Sequence, residues 1–152
     1  MKLAEALQER ADLNKKIQEI RNRLNNCVLV QEDEEPGDDP ISLLRELDDA
    51  TARLETLMAS INLTNCRTKV DGKSLTQIIA RKDALNLRRG VYNSVYYAAS
   101  QDTQRARGTE IKIKALLKSA DIRKEEDQIA KEVRQLDNLL QETNWKTKLI
   151  EY

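Results

Sequence analysis

Apolar side chains recur along most of this chain at intervals of three and four. Ala6, Leu13, Ile20 and Cys27 repeat every seven positions, and Leu3, Arg10, Ile17 and Leu24 form a second row of the same stripe. Such rows lay an apolar seam along one side of an α-helix, here with Arg10 as a polar interruption. The pattern predicts a helix over about residues 2–31, a stretch without Gly or Pro. A second helix is predicted over about 40–65. Leu47, Leu54 and Ile61 make one row there, Leu44, Thr51 and Met58 another, and Leu43, Ala50 and Leu57 widen the stripe. Between the two, Gln31 to Asp39 carries six acids and the turn chemistry of Pro36-Gly37. Asp39 can cap the following helix, and Pro40 suits its first position, where the missing N–H costs nothing. A connection this short predicts an antiparallel hairpin of helices roughly 40 Å long.

Asp71-Gly72 marks the next turn, and Ser74-Leu75-Thr76-Gln77 has the spacing of a capping box. A third helix is predicted over about 75–100, with Leu75, Ile78, Lys82, Leu85, Arg89, Tyr92, Tyr96 and Ala99 on its seam. Lys82 and Arg89 are unusual on such a stripe. Gly90 in mid-helix costs about 1 kcal/mol against Ala, which suggests a close helix approach or a bend. From Gln101 to Lys118 the helical period fades, and residues 109–114 alternate polar and apolar as a short strand would. Such a strand would need a partner, which a second subunit could supply. A fourth helix is predicted over about 120–143 on Ile122, Glu126, Ile129, Val133, Leu136 and Leu140. The tail after it holds Trp145, the only Trp, and is expected to dock back on the helices. The reading is an all-α fold in one helical domain over residues 1–152: a long antiparallel helical hairpin plus two further helices, in a coiled-coil-like bundle.

Composition agrees. Apolar residues are 39%, charged residues 34% and aromatics 3%, with no Phe, as suits long amphipathic helices with narrow seams. Net charge is zero but unevenly spread. Residues 32–66 hold ten acids against two bases, and residues 67–118 twelve bases against four acids. Such blocks can pair within or between chains, or the basic one can meet an anion. Cys27 and Cys66 have neither zinc-site nor disulfide-framework spacing and are expected as buried free thiols. The absence of His removes the commonest general base and transition-metal ligand. The opening residues lack the apolar core of a signal peptide, and no apolar run is long enough to span a bilayer, so a cytoplasmic location is expected.

No P-loop, GxGxxG, GxSxG or HExxH motif is present, so no enzyme activity, cofactor or metal is expected. The acidic 31–39 segment lacks the alternating ligands of a calcium loop and reads as a solvated linker. Three polar groups stand out as candidate binding residues. Asn62 and Asn65, with Thr64 and Thr68, crowd the end of the second helix, although Asn and Thr also simply end helices. Arg81, Asp83, Arg88 and Arg89, with Lys82, precede Tyr92, Tyr96 and Tyr97; bases beside rings can hold a nucleic-acid strand or a phosphorylated ligand, but Arg88 and Arg89 can equally pair with the acidic second helix, with Tyr92 and Tyr96 serving as core. Glu110, Lys112 and Trp145 form the third group, in which Trp145 could cap a pocket or serve as a packing anchor. Asn62, Asn65, Arg81, Asp83 and Trp145 meeting in one cavity would make a small-ligand site.

Met1-Lys2-Leu3-Ala4-Glu5-Ala6-Leu7 with Glu9-Arg10-Ala11-Asp12-Leu13 resembles the start of a family of small bacterial helical proteins of unassigned function that carry the name septicolysin. Similar too are Gln31-Glu32 with Glu35-Pro36, Ile61-Asn62-x-Thr64-Asn65, Leu75-Thr76 with Arg81-x-Asp83-x-Leu85, Glu110-Ile111-Lys112 and Asn144-Trp145. The resemblance implies long helices and brings no catalytic residues. The name implies a pore-forming toxin, but the chain shows no secretion signal, spanning segment or low-charge amphipathic hairpin. The leading expectation is a homo-oligomeric structural or interaction protein, since long seams on thin rods leave apolar surface that one chain struggles to cover. An anion, nucleotide or nucleic-acid binder using the basic third helix is the alternative, and a membrane-active protein the third.

Overall fold

The computed structural model describes residues 1–101 and 110–152. Four helices dominate: α1 (Leu3–Cys27), α2 (Pro40–Arg67), α3 (Leu75–Ala99) and α4 (Ser119–Lys146). A minute antiparallel sheet, β1 (Lys69–Val70) and β2 (Lys73–Ser74), lies between α2 and α3. The chain forms two compact units, one of Met1–Ser74 with Thr143–Tyr152, the other of Leu75–Glu142.

In the first unit α1 and α2 form the expected antiparallel hairpin, and ion pairs report its register. Glu9 meets Arg53, Lys16 meets Glu46, and Arg23 meets Asp38, so each step along α1 is matched by a step back along α2. Leu3, Ala6, Ile20 and Cys27 of the predicted α1 seam are buried. On α2 the third row wins: Leu43, Ala50 and Leu57 are buried with Ile61, whereas Leu44, Thr51 and Met58 face outward. Two overlapping heptad frames were open in the sequence, and the frame with the larger share of Leu at its inner positions is the one packed. Asp39 caps α2 as its sequence predicts, its Oδ1 accepting from Ile41 N–H at 3.1 Å. The α1 helix stops at Cys27 rather than near 31, leaving Val28, Leu29 and Val30 exposed.

Asp71 and Gly72 both adopt positive φ, 51° and 81°, the combination a two-residue hairpin turn requires. Among the described residues the paired strands are therefore here. In the stretch expected as a short strand near 109–114, Lys112 forms an isolated β-bridge and no longer strand runs through residues 110–114; Thr109 lies outside the described residues.

The last residues close the first unit. Leu3 N–H donates to Thr147 O at 2.9 Å, and Leu149 N–H to Met1 O at 3.0 Å, so Lys2 and Lys148 form an antiparallel bridge. The tail then runs against α2. Ile150 N–H donates to Thr64 Oγ1 at 2.9 Å and Tyr152 N–H to Ser60 Oγ at 3.1 Å. Thr64 in turn donates to Ser60 O at 2.7 Å. Ser60 and Thr64 are buried, and burial is tolerable because each hydroxyl has backbone partners.

In the second unit α3 and α4 are antiparallel, as shown by contacts of Arg81 with Glu132, Arg89 with Glu126, and Arg123 with the Tyr96 ring. Leu75, Ile78 and Leu85 on α3, and Ile129, Ala130 and Leu140 on α4, are its buried apolar residues. The α4 helix continues to Lys146, one turn beyond the predicted end.

Candidate functional site

The basic third helix carries most of the sequence's candidates. Its heptad pattern turns Ile78, Lys82, Leu85, Arg89, Tyr92 and Tyr96 to the α4 side. The two cations that interrupt this stripe meet acids on α4. Lys82 Nζ lies 2.7 Å from Asp137 Oδ1, and Arg89 Nε lies 3.8 Å from Glu126 Oε1. Glu126 is only 7% exposed. Its other oxygen is 3.4 Å from Arg123 Nη1, and that guanidinium lies 5.2 Å from the Tyr96 ring centroid. A buried carboxylate is thus shared by two arginines that reach solvent on either side. One step further along, Arg81 donates to Glu132 through both Nε and Nη2, at 3.1 and 3.0 Å.

This arrangement neutralises charge. Arg81, Lys82 and Arg89 all face acids on α4, not those of the acidic second helix that the block charges suggested as partners. Arg88 is different. It lies over Tyr92 at 5.2 Å and donates to the Tyr92 hydroxyl at 3.4 Å, a contact that raises the guanidinium further from a value at which it is already charged. It lines a shallow groove of about 450 Å³ with Glu125, Gln128, Lys131, Glu132 and Gln135. Asp83 is exposed on α3.

The remaining candidates lie elsewhere. Asn62 is exposed and Asn65 half-buried on α2, in the first unit; the residue of that cluster with a defined task is Thr64, which binds the tail. Trp145, expected as a packing anchor, is 61% exposed on the last turn of α4. Glu110 and Lys112 are exposed. Cys27 is buried as expected, but Cys66 is exposed. Gly90 has no atom of the described residues within 4 Å of a notional Cβ, so no close approach among them explains it. Among the described residues no group of three or more Asp, Glu or Cys side chains could hold a metal ion, and no helix is long and apolar enough to cross a membrane.

Glu126 is legible in the sequence as a seam residue but not as a candidate, and Arg123 as neither. The signal was present: Arg89 and Glu126 are polar interruptions of facing stripes with opposite charge. Also missed were Leu87 and Val91, 76% and 61% exposed on α3, whose four-residue spacing lies off the seam.

Helix order and ion-pair geometry define an all-α protein built of two antiparallel helical hairpins. The chain belongs to a family of unknown function (DUF6847), whose profile matches residues 10–149. It is similar to a functionally unknown conserved protein from Corynebacterium diphtheriae, known from a crystal structure, with 36% identity, a TM-score of 0.92 and 99% of each chain covered. Comparison with curated proteins gives no match.

Proposed function

We propose that this is a non-catalytic structural or interaction protein that works as a homo-oligomer, through helix faces it presents to other chains. The observation that carries the reading is the exposure of large apolar side chains on well-formed helices, above all Leu87 and Val91 on α3 and Leu44 and Met58 on α2. Single exposed apolar residues are ordinary, but pairs one turn or more apart on one helix face are what an association surface is made of. The polar side chains support the same reading, since those with the shortest contacts between helices, Arg53 with Glu9, Lys82 with Asp137 and Arg81 with Glu132, hold the architecture together. Sedimentation velocity at micromolar concentration should give a species heavier than the 17.5 kDa chain, and a monomer there would overturn the proposal.

Anion or nucleic-acid binding would have to draw chiefly on Arg88 and Lys112, because Arg81, Lys82 and Arg89 already face acids. Weak retention on a phosphate resin at low salt, unchanged in an Arg88→Ala, Arg89→Ala variant, is the expected result. The membrane activity implied by the name septicolysin predicts liposome leakage, and none is expected. A cytoplasmic location is part of the same proposal.

A further inference from the structure

We propose that α3 carries a second, outward heptad stripe through which two copies of this chain pair with their α3 helices parallel. The inference rests on the self-association proposed above and names its face, partner and orientation.

Ala80, Ala84, Leu87, Val91, Ser94 and Ala98 follow one another at alternating steps of four and three, and all six are exposed. At 3.6 residues per turn this stripe lies about 160° around the helix from the row that faces α4. The sequence therefore writes two helix-length stripes on α3, and α4 covers only one of them. At the centre of the outer stripe stand its two large side chains, Leu87 at a d position and Val91 at an a position. A β-branched residue at a with Leu at d is the combination that favours two parallel strands.

The flanks choose the same partner. In this frame Asp83 takes the g position of one heptad and Arg88 the e position of the next. In a parallel pair g faces the following e, so Asp83 of each copy meets Arg88 of the other, and the symmetry makes the contact twice. An antiparallel pair would instead set Arg88 against Arg88. Gly90 occupies another g position, beside Val91 and with open space around it. A glycine there narrows the flank and lets the two backbones approach, a use that no contact among the described residues supplies. The Ala-rich layers on either side of Leu87 and Val91 make the seam thin, so the dimer should be reversible on dilution.

Sedimentation equilibrium of the full chain tests the face. Leu87→Glu should shift the dimer to monomer while leaving the helical circular dichroism unchanged. Asp83→Arg and Arg88→Asp should each weaken the dimer about tenfold, and the two together should restore it to within about threefold of the parent. Cross-linking tests the orientation, in a Cys66→Ser background because Cys66 is exposed and Cys27 buried. Ser94→Cys alone should form a disulfide-linked dimer on mild oxidation, because the parallel arrangement sets each Ser94 against its counterpart. Cross-linking that appears only when Ala84→Cys and Ser94→Cys proteins are mixed would overturn the parallel pairing. Self-association that survives Leu87→Glu and lacks the charge-swap rescue would overturn this face and leave the oligomeric reading standing. A chain that is monomeric at every concentration would remove both.

Discussion

The two helical hairpins put their charges in opposite places. Along α1 and α2 the apolar stripe is nearly continuous, and Glu9–Arg53, Lys16–Glu46 and Arg23–Asp38 line its edges. Along α3 and α4 the charges enter the stripe itself, as Lys82, Arg89 and Glu126, while Leu87 and Val91 lie outside it. Buried polar groups differ in the same sense. Ser60 and Thr64 serve the backbone of the tail, whereas Glu126 serves two arginine side chains. A seam of Leu and Ala alone can slip by a heptad at small cost, and edge pairs resist slippage weakly. A buried carboxylate that must find its arginines penalises every wrong register. The second hairpin reads as specified in register by buried charge, the first as held by its apolar stripe; both leave large apolar side chains outward, Leu44 and Met58 on α2 and Leu87 and Val91 on α3.

One substitution made in both places should separate them most widely. Leu57 is 1% exposed on α2, and Leu57→Ala there should cost about 3 kcal/mol, the usual range for truncating a fully buried Leu. In a chain of this length that lowers the melting temperature by roughly 6–12 °C. Leu87→Ala on α3, measured on protein dilute enough to be monomeric, should stay within about 0.5 kcal/mol of the parent. Equal losses at the two sites would erase the contrast between inner and outer Leu.

Glu126 comes next. Glu126→Leu leaves Arg89 and Arg123 facing an apolar patch. Both are about half-exposed and can turn to water, so the loss should be about 2 kcal/mol rather than the 3–5 of a fully buried pair. Adding Arg89→Met should recover most of it. A double-mutant cycle in chemical denaturation reads the coupling, and a double variant as unstable as the sum of its single changes would show that the two charges do not act together.

Thr64→Val probes the other use of a buried polar group. The change keeps the shape and removes the oxygen that accepts from Ile150 N–H. Leaving that amide without its partner should cost about 1–2 kcal/mol. More specifically, the Ile150 amide should exchange its hydrogen faster while amides in α3 keep their protection. Unchanged protection at Ile150 would mean the hydroxyl does not hold the tail.

Heptad spacing made the helices and the first hairpin legible, because burial of a stripe is a local property of sequence. The Asp39 cap and the Asp71-Gly72 turn were legible for the same reason: a side-chain oxygen one residue ahead of a helix, and a glycine free to take positive φ, act over a few residues. What stayed hidden depends on distant partners. Thr64 could be recognised as unusual on α2, but not as the acceptor for an amide 86 residues away. Arg89 and Glu126 were each visible as interruptions, and only the antiparallel register brings them together. Trp145 misled because a lone large ring is normally buried, whereas here α4 runs one turn further and carries it outward. On α2 two frames one residue apart were both apolar, and periodicity alone does not choose between them.

Acid and salt give the smallest effects and separate the two kinds of charge. Arg53 donates twice to Glu9, at 2.6 and 2.8 Å, and Arg23 twice to Asp38, at 2.6 and 3.1 Å. These hydrogen bonds, more than the charges behind them, hold both carboxyls below their ordinary range against an opposing effect of burial. A carboxyl depressed in the folded state favours folding at pH above its unfolded value. The contribution fades as pH falls from the ordinary carboxylate range down through the depressed folded values. Glu9→Gln should therefore cost about 0.5 kcal/mol at neutral pH, flatten the acid limb of the stability curve, and lose nothing further in strong acid. A Glu9 carboxyl that titrates in the usual range by NMR would contradict it. Raising salt to 1 M shortens the screening length to about 3 Å and should remove most of the Glu9–Arg53 contribution. The Arg89–Glu126 coupling should survive the same salt in larger part, because its carboxylate is screened by protein rather than by solution. Equal salt sensitivity at the two sites would show that the carboxylate within the second seam is no better protected than those at the edges of the first.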